Sequence, residues 1–203
     1  MYEYNLSSMS VQTTHSPLRV GFDLDGVLLY NPLRIARPLI TAYKRLTTPK
    51  KEKVFHIPHG VIEKTIWKLA HAFSLFTPSG FERIEPLVKS GVIEAYLVTA
   101  RYDFLKPELD SFVASHHGER FFTKIIMNGK NEQPHTYKER VIRELGLDLY
   151  IEDNWNIVEH LAARQLPTQI WWMYNIADRS IPYPHKFAHF SEVMKSIEAY
   201  AKK

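Results

Sequence analysis

The sequence predicts an α/β fold: a parallel sheet of about five strands with helices on both faces, and a small helical cap inserted after the first strand. Three observations carry this expectation. From residue 94 to the C-terminus, short apolar runs alternate with helical segments, the pattern of βαβ units joined by right-handed crossovers. A first apolar run, LRVGFDLDGVLLY (18–30), ends in an acidic, glycine-containing turn. Between 31 and 93 the alternation gives way to a somewhat broken helical pattern, so this stretch reads as an insertion over the strand ends.

Taken in order, residues 1–17 are polar and patternless, an N-terminal arm. Strand 18–23 follows. PLRIARPLITAYKRL (32–46) has apolar residues at helical spacing, and TTPKKEKVFHIPHG (47–60) reads as a basic loop. GVIEKTIWKLAHAFSLF (60–76) is an amphipathic helix with Ile62, Ile66, Leu69 and Phe73 along one stripe. FERIEPLVKSG (81–91) is a short helix stopped by Gly91. Strands at 94–100, 121–128, 147–153 and 168–174 then alternate with helices at 103–116, 136–145 and 155–164, and SEVMKSIEAYAKK closes the chain. The expected organisation is an arm (1–17), a core (18–31 and 94–203) and a helical cap (32–93).

Composition narrows the functional classes. The 203 residues are 45% hydrophobic and 24% charged, which supports a packed core and excludes wholesale disorder. The net charge of +4 suits an anionic partner but is too small and too evenly spread to indicate nucleic acid. The basic cluster Lys44, Arg45, Lys50, Lys51 and Lys53 reads as a solvated loop that could also draw in an anionic substrate. There is no cysteine, so disulfides, Cys-ligated metals and cysteine nucleophiles are excluded, and a reducing cytoplasmic setting is expected. No apolar run reaches a membrane span, and the N-terminus lacks a secretory signal pattern. Of the ten histidines, His56 and His59, like His116 and His117, have no companion set suited to zinc. Trp171 and Trp172, adjacent in one strand, must face opposite sides of the sheet.

In open parallel sheets ligands bind beyond the carboxyl ends of the strands, so the residues there belong together. They are Asp23 and Asp25 after the first strand, Thr99 and Ala100 after the second, and Glu152 and Asp153 after the fourth. Lys138 stands near the start of the preceding helix. One carboxylate can attack phosphorus, and a second can protonate the leaving oxygen and later deprotonate water. Two carboxylates beside a phosphate repel it, which calls for a divalent cation, and hard oxygen ligands suit Mg²⁺. Asp153 adds acidic oxygen; its plain alternative is a helix N-cap. Thr99 offers a hydroxyl and a backbone N–H to a phosphate oxygen, and Lys138 a point charge. Arg101, Tyr30 and Asn31 are candidate substrate contacts. Trp67, Phe73, Phe76 and Phe81 read as cap core, with a substrate-facing surface as the alternative.

Taken together, GFDLDGVLL, LVTAR, TYKERVI and LYIEDN resemble the four sequence motifs of the haloacid dehalogenase-like (HAD) hydrolase superfamily. Thr99 lies 76 residues after Asp23, Lys138 39 after Thr99, and Asp153 15 after Lys138. The resemblance implies a Rossmann-like core with a C1-type cap and Mg²⁺ as cofactor. Asp23 would be the nucleophile that forms an aspartyl-phosphate, and Asp25 the general acid/base. Thr99 would hold the phosphoryl group and Lys138 would stabilise it and the nucleophile. Asp153 would join Asp23 and the Asp25 backbone carbonyl around the metal, and whether Glu152 contacts it stays open. An aspartate at position 25 implies a phosphatase or phosphotransferase. DLDGVL, the small cap and WWMYNIADR are similar to the 5′(3′)-deoxyribonucleotidase-like group. The expected function is hydrolysis of a small phosphate monoester, with a nucleoside monophosphate as first choice. The alternatives are a polynucleotide 3′-phosphatase and a non-catalytic phosphate-binding scaffold.

Overall fold

The computed structural model describes residues 16–30, 55–58, 60–72 and 76–202. In chain order these hold β1 (Leu18–Phe22), α1 (Val61–Ala72), α2 (Ile84–Lys89), β2 (Ile93–Tyr102), α3 (Lys106–Ser115), β3 (Phe122–Asn128), α4 (Pro134–Leu145), β4 (Leu149–Glu152), α5 (Trp155–Ala162), β5 (Gln169–Met173), β6 (Lys186–Phe187) and α6 (Phe190–Tyr200). The strands form one sheet in the order β3-β2-β1-β4-β5-β6, every neighbouring pair parallel.

Six strands stand where about five were expected. The sixth, of two residues, sits in the Pro-containing IPYPHKF stretch, too short to show a period of two. It is fixed by backbone hydrogen bonds, Trp172 N–H to His185 C=O at 2.8 Å and Tyr174 N–H to Phe187 C=O at 3.0 Å.

Alternation along the strands separates two apolar layers. Val20, Phe22, Leu97, Ile151 and Trp171 pack with Leu109 and Phe112 of α3 and Phe190, Val193 and Ile197 of α6. Val98, Tyr150, Ile170 and Trp172 pack with Tyr137, Val141 and Ile142 of α4 and Ile157, Val158 and Leu161 of α5. Trp171 and Trp172 therefore face opposite layers, as the strand period requires. Gly21 is dictated by close approach: a Cβ there would lie 2.4 Å from Leu147 Cδ1 and 2.8 Å from Tyr150 Cδ2. α4 begins with Pro134 and ends where Gly146 turns left-handed at φ 55°.

The inserted segment departs from its expected packing. Ile62, Ile66 and Leu69 of α1 are exposed, while Trp67 and His71 turn toward the core. Phe81, expected in the cap, packs edge-on against Phe112 and Phe121, and Ile84 is fully buried in the β1 layer. A 3-10 turn (Phe81–Arg83) and α2 thus lie on the core sheet. Phe76 is exposed and its carbonyl accepts the Tyr30 N–H at 2.7 Å, joining the two ends of the insertion. Asn31, His59, Phe73 and the basic cluster at 44–53 lie outside the described residues.

Candidate active site

Chain order runs from β1 outward to β2 and β3, then returns to β4 on the other side of β1. That reversal opens a crevice at the carboxyl ends of β1 and β4. Asp23 directly follows β1 and donates its N–H to the Ile151 carbonyl at 3.0 Å, which ties it to β4. Asp153 directly follows β4. Gly26, at φ 90°, lets the chain turn back after the acidic pair, with its N–H donating to Leu29 C=O at 2.9 Å.

Five buried groups meet at this point. Lys138 comes up from α4 and places Nζ 2.9 Å from Asp23 Oδ1 and 2.5 Å from Glu152 Oε2. Glu152 Oε1 accepts the N–H groups of Asp153 at 3.2 Å and Asn154 at 2.9 Å. Tyr150 adds its hydroxyl 3.4 Å from Glu152 Oε2 and 3.3 Å from the Val98 carbonyl. Ligand atoms of Asp23, Glu152 and Asp153 lie within 4.8 Å of one another, all three residues buried. A buried carboxylate set of this kind fits a hard divalent cation. Trp172 Nε1 donates to the Asp153 carbonyl at 3.1 Å and so braces the loop.

Burial pushes the Asp23 carboxyl well above its ordinary range; the Lys138 charge opposes this, while Glu152, Asp153 and Asp25 add to it. Glu152 is raised for the same reason, again against Lys138. Lys138 is raised as well, for a different reason: burial lowers it, and the charges of Asp23 and Glu152 outweigh burial. One ammonium thus serves two carboxylates.

Asp25 sits in different company. Both its oxygens accept from Arg101, Oδ2 from Nε and Oδ1 from Nη2, each at 2.7 Å. The Arg101 side chain is 2% exposed and that of Asp25 22%. From the inserted helix, His71 brings Nδ1 to 3.4 Å from Asp25 Oδ1. Burial works to raise the Asp25 carboxyl, but the Arg101 charge and hydrogen bonds, with His71 adding to them, hold it well below the usual carboxylate range.

The structure therefore brings Asp23, Asp25, Glu152, Asp153, Lys138 and Arg101 together. Thr99 is fully buried and its Oγ1 accepts the Arg101 N–H at 3.2 Å. Ala100 is half-buried against the α4 layer. Arg101, expected as a substrate contact, is spent on Asp25. Tyr30 is 43% exposed at the root of the insertion. The N-cap of α5 is Asn154, whose side chain accepts from Asn156 N–H at 3.1 Å, so Asp153 is not the cap. Two neighbours of the site escaped sequence reasoning. Tyr150 looks like any strand tyrosine, and His71 is one of ten histidines; only its position four residues after Trp67, on one helix face, could have drawn notice.

No protein-family model matches the chain, and no curated protein matches it by sequence. Its fold is that of HAD-superfamily hydrolases, as solved structures of that class show. A HAD hydrolase of family IA, variant 3, from Entamoeba histolytica superposes with a TM-score of 0.58 at 13% identity, covering 92% of this chain and 100% of that one. CbbY from Rhodobacter sphaeroides, solved in complex with phosphate, gives 0.54 at 15% identity over 86% and 95% of the two chains. A HAD-superfamily hydrolase from Ehrlichia chaffeensis gives 0.52 at 15% identity over 91% and 97%.

Proposed function

We propose that the chain is a Mg²⁺-dependent phosphatase that hydrolyses small phosphate monoesters through Asp23, with nucleoside monophosphates as its substrate class. The observation that carries this reading is the Lys138 bridge from Asp23 to Glu152, with a second, separately held carboxylate, Asp25, two residues on. The fold shared with HAD hydrolases supports it, and another structural neighbour, CbbY, was solved in complex with phosphate.

Asp23, Asp153 and the Asp25 backbone carbonyl would hold the cation, with both Glu152 oxygens already engaged by Lys138 and by backbone N–H groups. When bound, Mg²⁺ would neutralise phosphate charge and offset the buried carboxylates. The chain supplies the rest. An Asp23 oxygen attacks phosphorus, the P–O ester bond breaks, and the leaving oxygen takes a proton from Asp25, whose protonated form the adjacent phosphate anion favours against the Arg101 clasp. Asp25, now a carboxylate, removes a proton from water; that water attacks phosphorus, releases inorganic phosphate and restores Asp23. Lys138 opposes the effect of burial on Asp23. Thr99 and the Ala100 N–H hold the phosphoryl oxygens, and Tyr30, Asn31 and the insertion select the ester group. The insertion acts as a cap.

A panel of deoxynucleotides, sugar phosphates and oligonucleotide 3′-phosphates, assayed with Mg²⁺ on the wild type and on Asp23→Asn, tests this. Phosphate release by the wild type, greatest on nucleotides and absent from the variant, is the expected result. Full activity in Asp23→Asn refutes the nucleophile, and preference for either other substrate group refutes the nucleotide assignment.

A further inference from the structure

A cavity of about 200 Å³ lies between the inserted segment and the core, at the carboxyl ends of β2 and β3, one and two strands from Asp23. Ile57, Pro58 and Lys64 line it from the insertion, and Asp103, Phe104 and Asn131 from the core. Hydrogen bonds fix its walls. The Gln133 side chain accepts the Phe55 N–H at 2.8 Å and donates to the Phe55 carbonyl at 3.1 Å, and the Tyr102 hydroxyl donates to the His56 carbonyl at 3.3 Å. These bonds hold the 55–58 loop against the core. On the facing side, Asn131 sits at φ 55°, in the left-handed region that asparagine tolerates, and its Oδ1 accepts the Asp103 N–H at 3.0 Å. That bond commits Oδ1 and leaves Nδ2 as a donor. Asp103 Oδ1 accepts the Phe104 N–H at 2.7 Å, which leaves Oδ2 as an acceptor beside it. Phe104 stacks on Tyr102 with centroids 6.2 Å apart, and Lys64 Nζ lies 5.5 Å from the Phe104 centroid.

The lining selects a class of ligand. Ile57, Pro58 and Phe104 offer apolar surface to a flat ring, and Asn131 and Asp103 set a donor beside an acceptor, which the edges of nucleobases can answer in reverse. The Lys64 ammonium and the Asp103 carboxylate balance in charge, so the cavity favours a neutral ring over a second phosphate. Its volume is below the roughly 300–1,000 Å³ of sites for whole drug-sized molecules and suits one ring system. We propose that this cavity binds a neutral heteroaromatic ring of the nucleobase class, stacked on Phe104 and read at its edge by Asn131 and Asp103. Lys64, on a flexible stem, can follow an acceptor on the ring. A row of side-chain rings joins the cavity to the acidic turn: Tyr102 meets Trp67 at 6.2 Å, and Trp67 meets His71 at 5.7 Å. Two sources share the ligand chemistry, the base of the phosphate ester itself and a separate nucleoside that acts from beside the active site. The site stands on the cavity; its tie to turnover rests on the phosphatase reading.

Equilibrium dialysis of the full chain against adenosine, guanosine, cytidine and thymidine, which carry no phosphate, tests the site. At least one is expected to bind, and Phe104→Ala to weaken that binding by about 10-fold or more, the worth of a base-stacking ring. Phe104→Leu fills similar space without a π face; it should keep the wild-type melting temperature and lose most of the affinity as well. Asn131→Asp, a residue also at ease at positive φ, removes the Nδ2 donor and should bind several-fold more weakly. No binding of any of the four to the wild type, or binding unchanged in the Phe104 variants, overturns the site. Wild-type kinetics assign the source. A bound nucleoside that raises KM for its own 5′-monophosphate and leaves kcat alone marks the base of the substrate. One that changes kcat on ribose 5-phosphate marks a separate effector. Asp23→Asn separates the two levels. If it still turns over nucleotides while nucleosides bind at Phe104, the phosphatase reading fails and the site stands; if it is inert and no nucleoside binds the wild type, the site alone fails.

Discussion

Asp23 and Asp25 are two residues apart in one turn, yet their surroundings push them in opposite directions. Asp23 faces the sheet, fully desolvated among Glu152 and Asp153, and shares one ammonium; its carboxyl is raised. Asp25 faces the insertion, holds a guanidinium to itself and is lowered. The turn makes this division: past the end of β1 the chain leaves the extended period, under which positions 23 and 25 would share a side, and Gly26 at φ 90° turns it back toward the insertion. The lesson is one of economy. Lys138 makes a crowded carboxylate cluster tolerable, and the Arg101 clasp makes its neighbour dependable.

The largest effect should come from breaking the crowded side. Lys138→Met leaves Asp23 and Glu152 buried without a counter-charge, which costs about 3–5 kcal/mol. For a chain of this size the melting temperature falls by about 6–20 °C, read by differential scanning calorimetry. A fall of only a degree or two would mean that the carboxylates find other partners.

Asp23→Asn sharpens the same contrast in the other direction. It should abolish turnover, by about 10⁴-fold or more, and yet raise the melting temperature in EDTA by a few degrees, because it removes a buried charge that is unfavourable in the folded state. Loss of stability together with loss of activity would count against the crowding.

Asp25 should show the opposite sign. Its folded-state carboxyl lies below the ordinary value of about 3.9, so its contribution is present above that pH and fades as the pH falls toward the folded value. Chemical denaturation should find wild type more stable than Asp25→Asn at pH 6, with the gap narrowing below about pH 4. A gap that widens in acid would contradict the clasp. The smallest effect is expected on the outer face of α1. Ile66→Ser, at an exposed position, should shift stability by no more than about 0.5 kcal/mol; a larger drop would mean that this face is covered.

Much of this was legible in the chain. GFDLDG, LVTAR and LYIED stand at strand ends because apolar runs of the right length precede them, and Lys138 lies in a helix whose stop, Gly146, is written in the sequence. The resemblance carried by these motifs anticipated the fold. What stayed hidden depends on long-range approach. The partner of Arg101 could be read as substrate or solvent until β2 was set beside β1. His71 needed the insertion folded back over the turn. Glu152 could not be assigned from LYIEDN, because its four hydrogen-bonding neighbours come from α4, β4 and the following loop. Phe81 and Ile84 follow a helical pattern, and periodicity alone does not say which sheet or helix such a pattern will pack on. β6 is held by backbone pairing that needs no apolar signature.

The central claim is that Asp23 takes the phosphoryl group. Enzyme mixed with a phosphomonoester and Mg²⁺ and quenched in acid within one turnover should yield, on mass spectrometric mapping, a phosphorylated peptide modified at Asp23. The modification should be removed by hydroxylamine and absent from Asp23→Asn. Steady phosphate release with no label at Asp23, or release retained in the variant, would contradict the account.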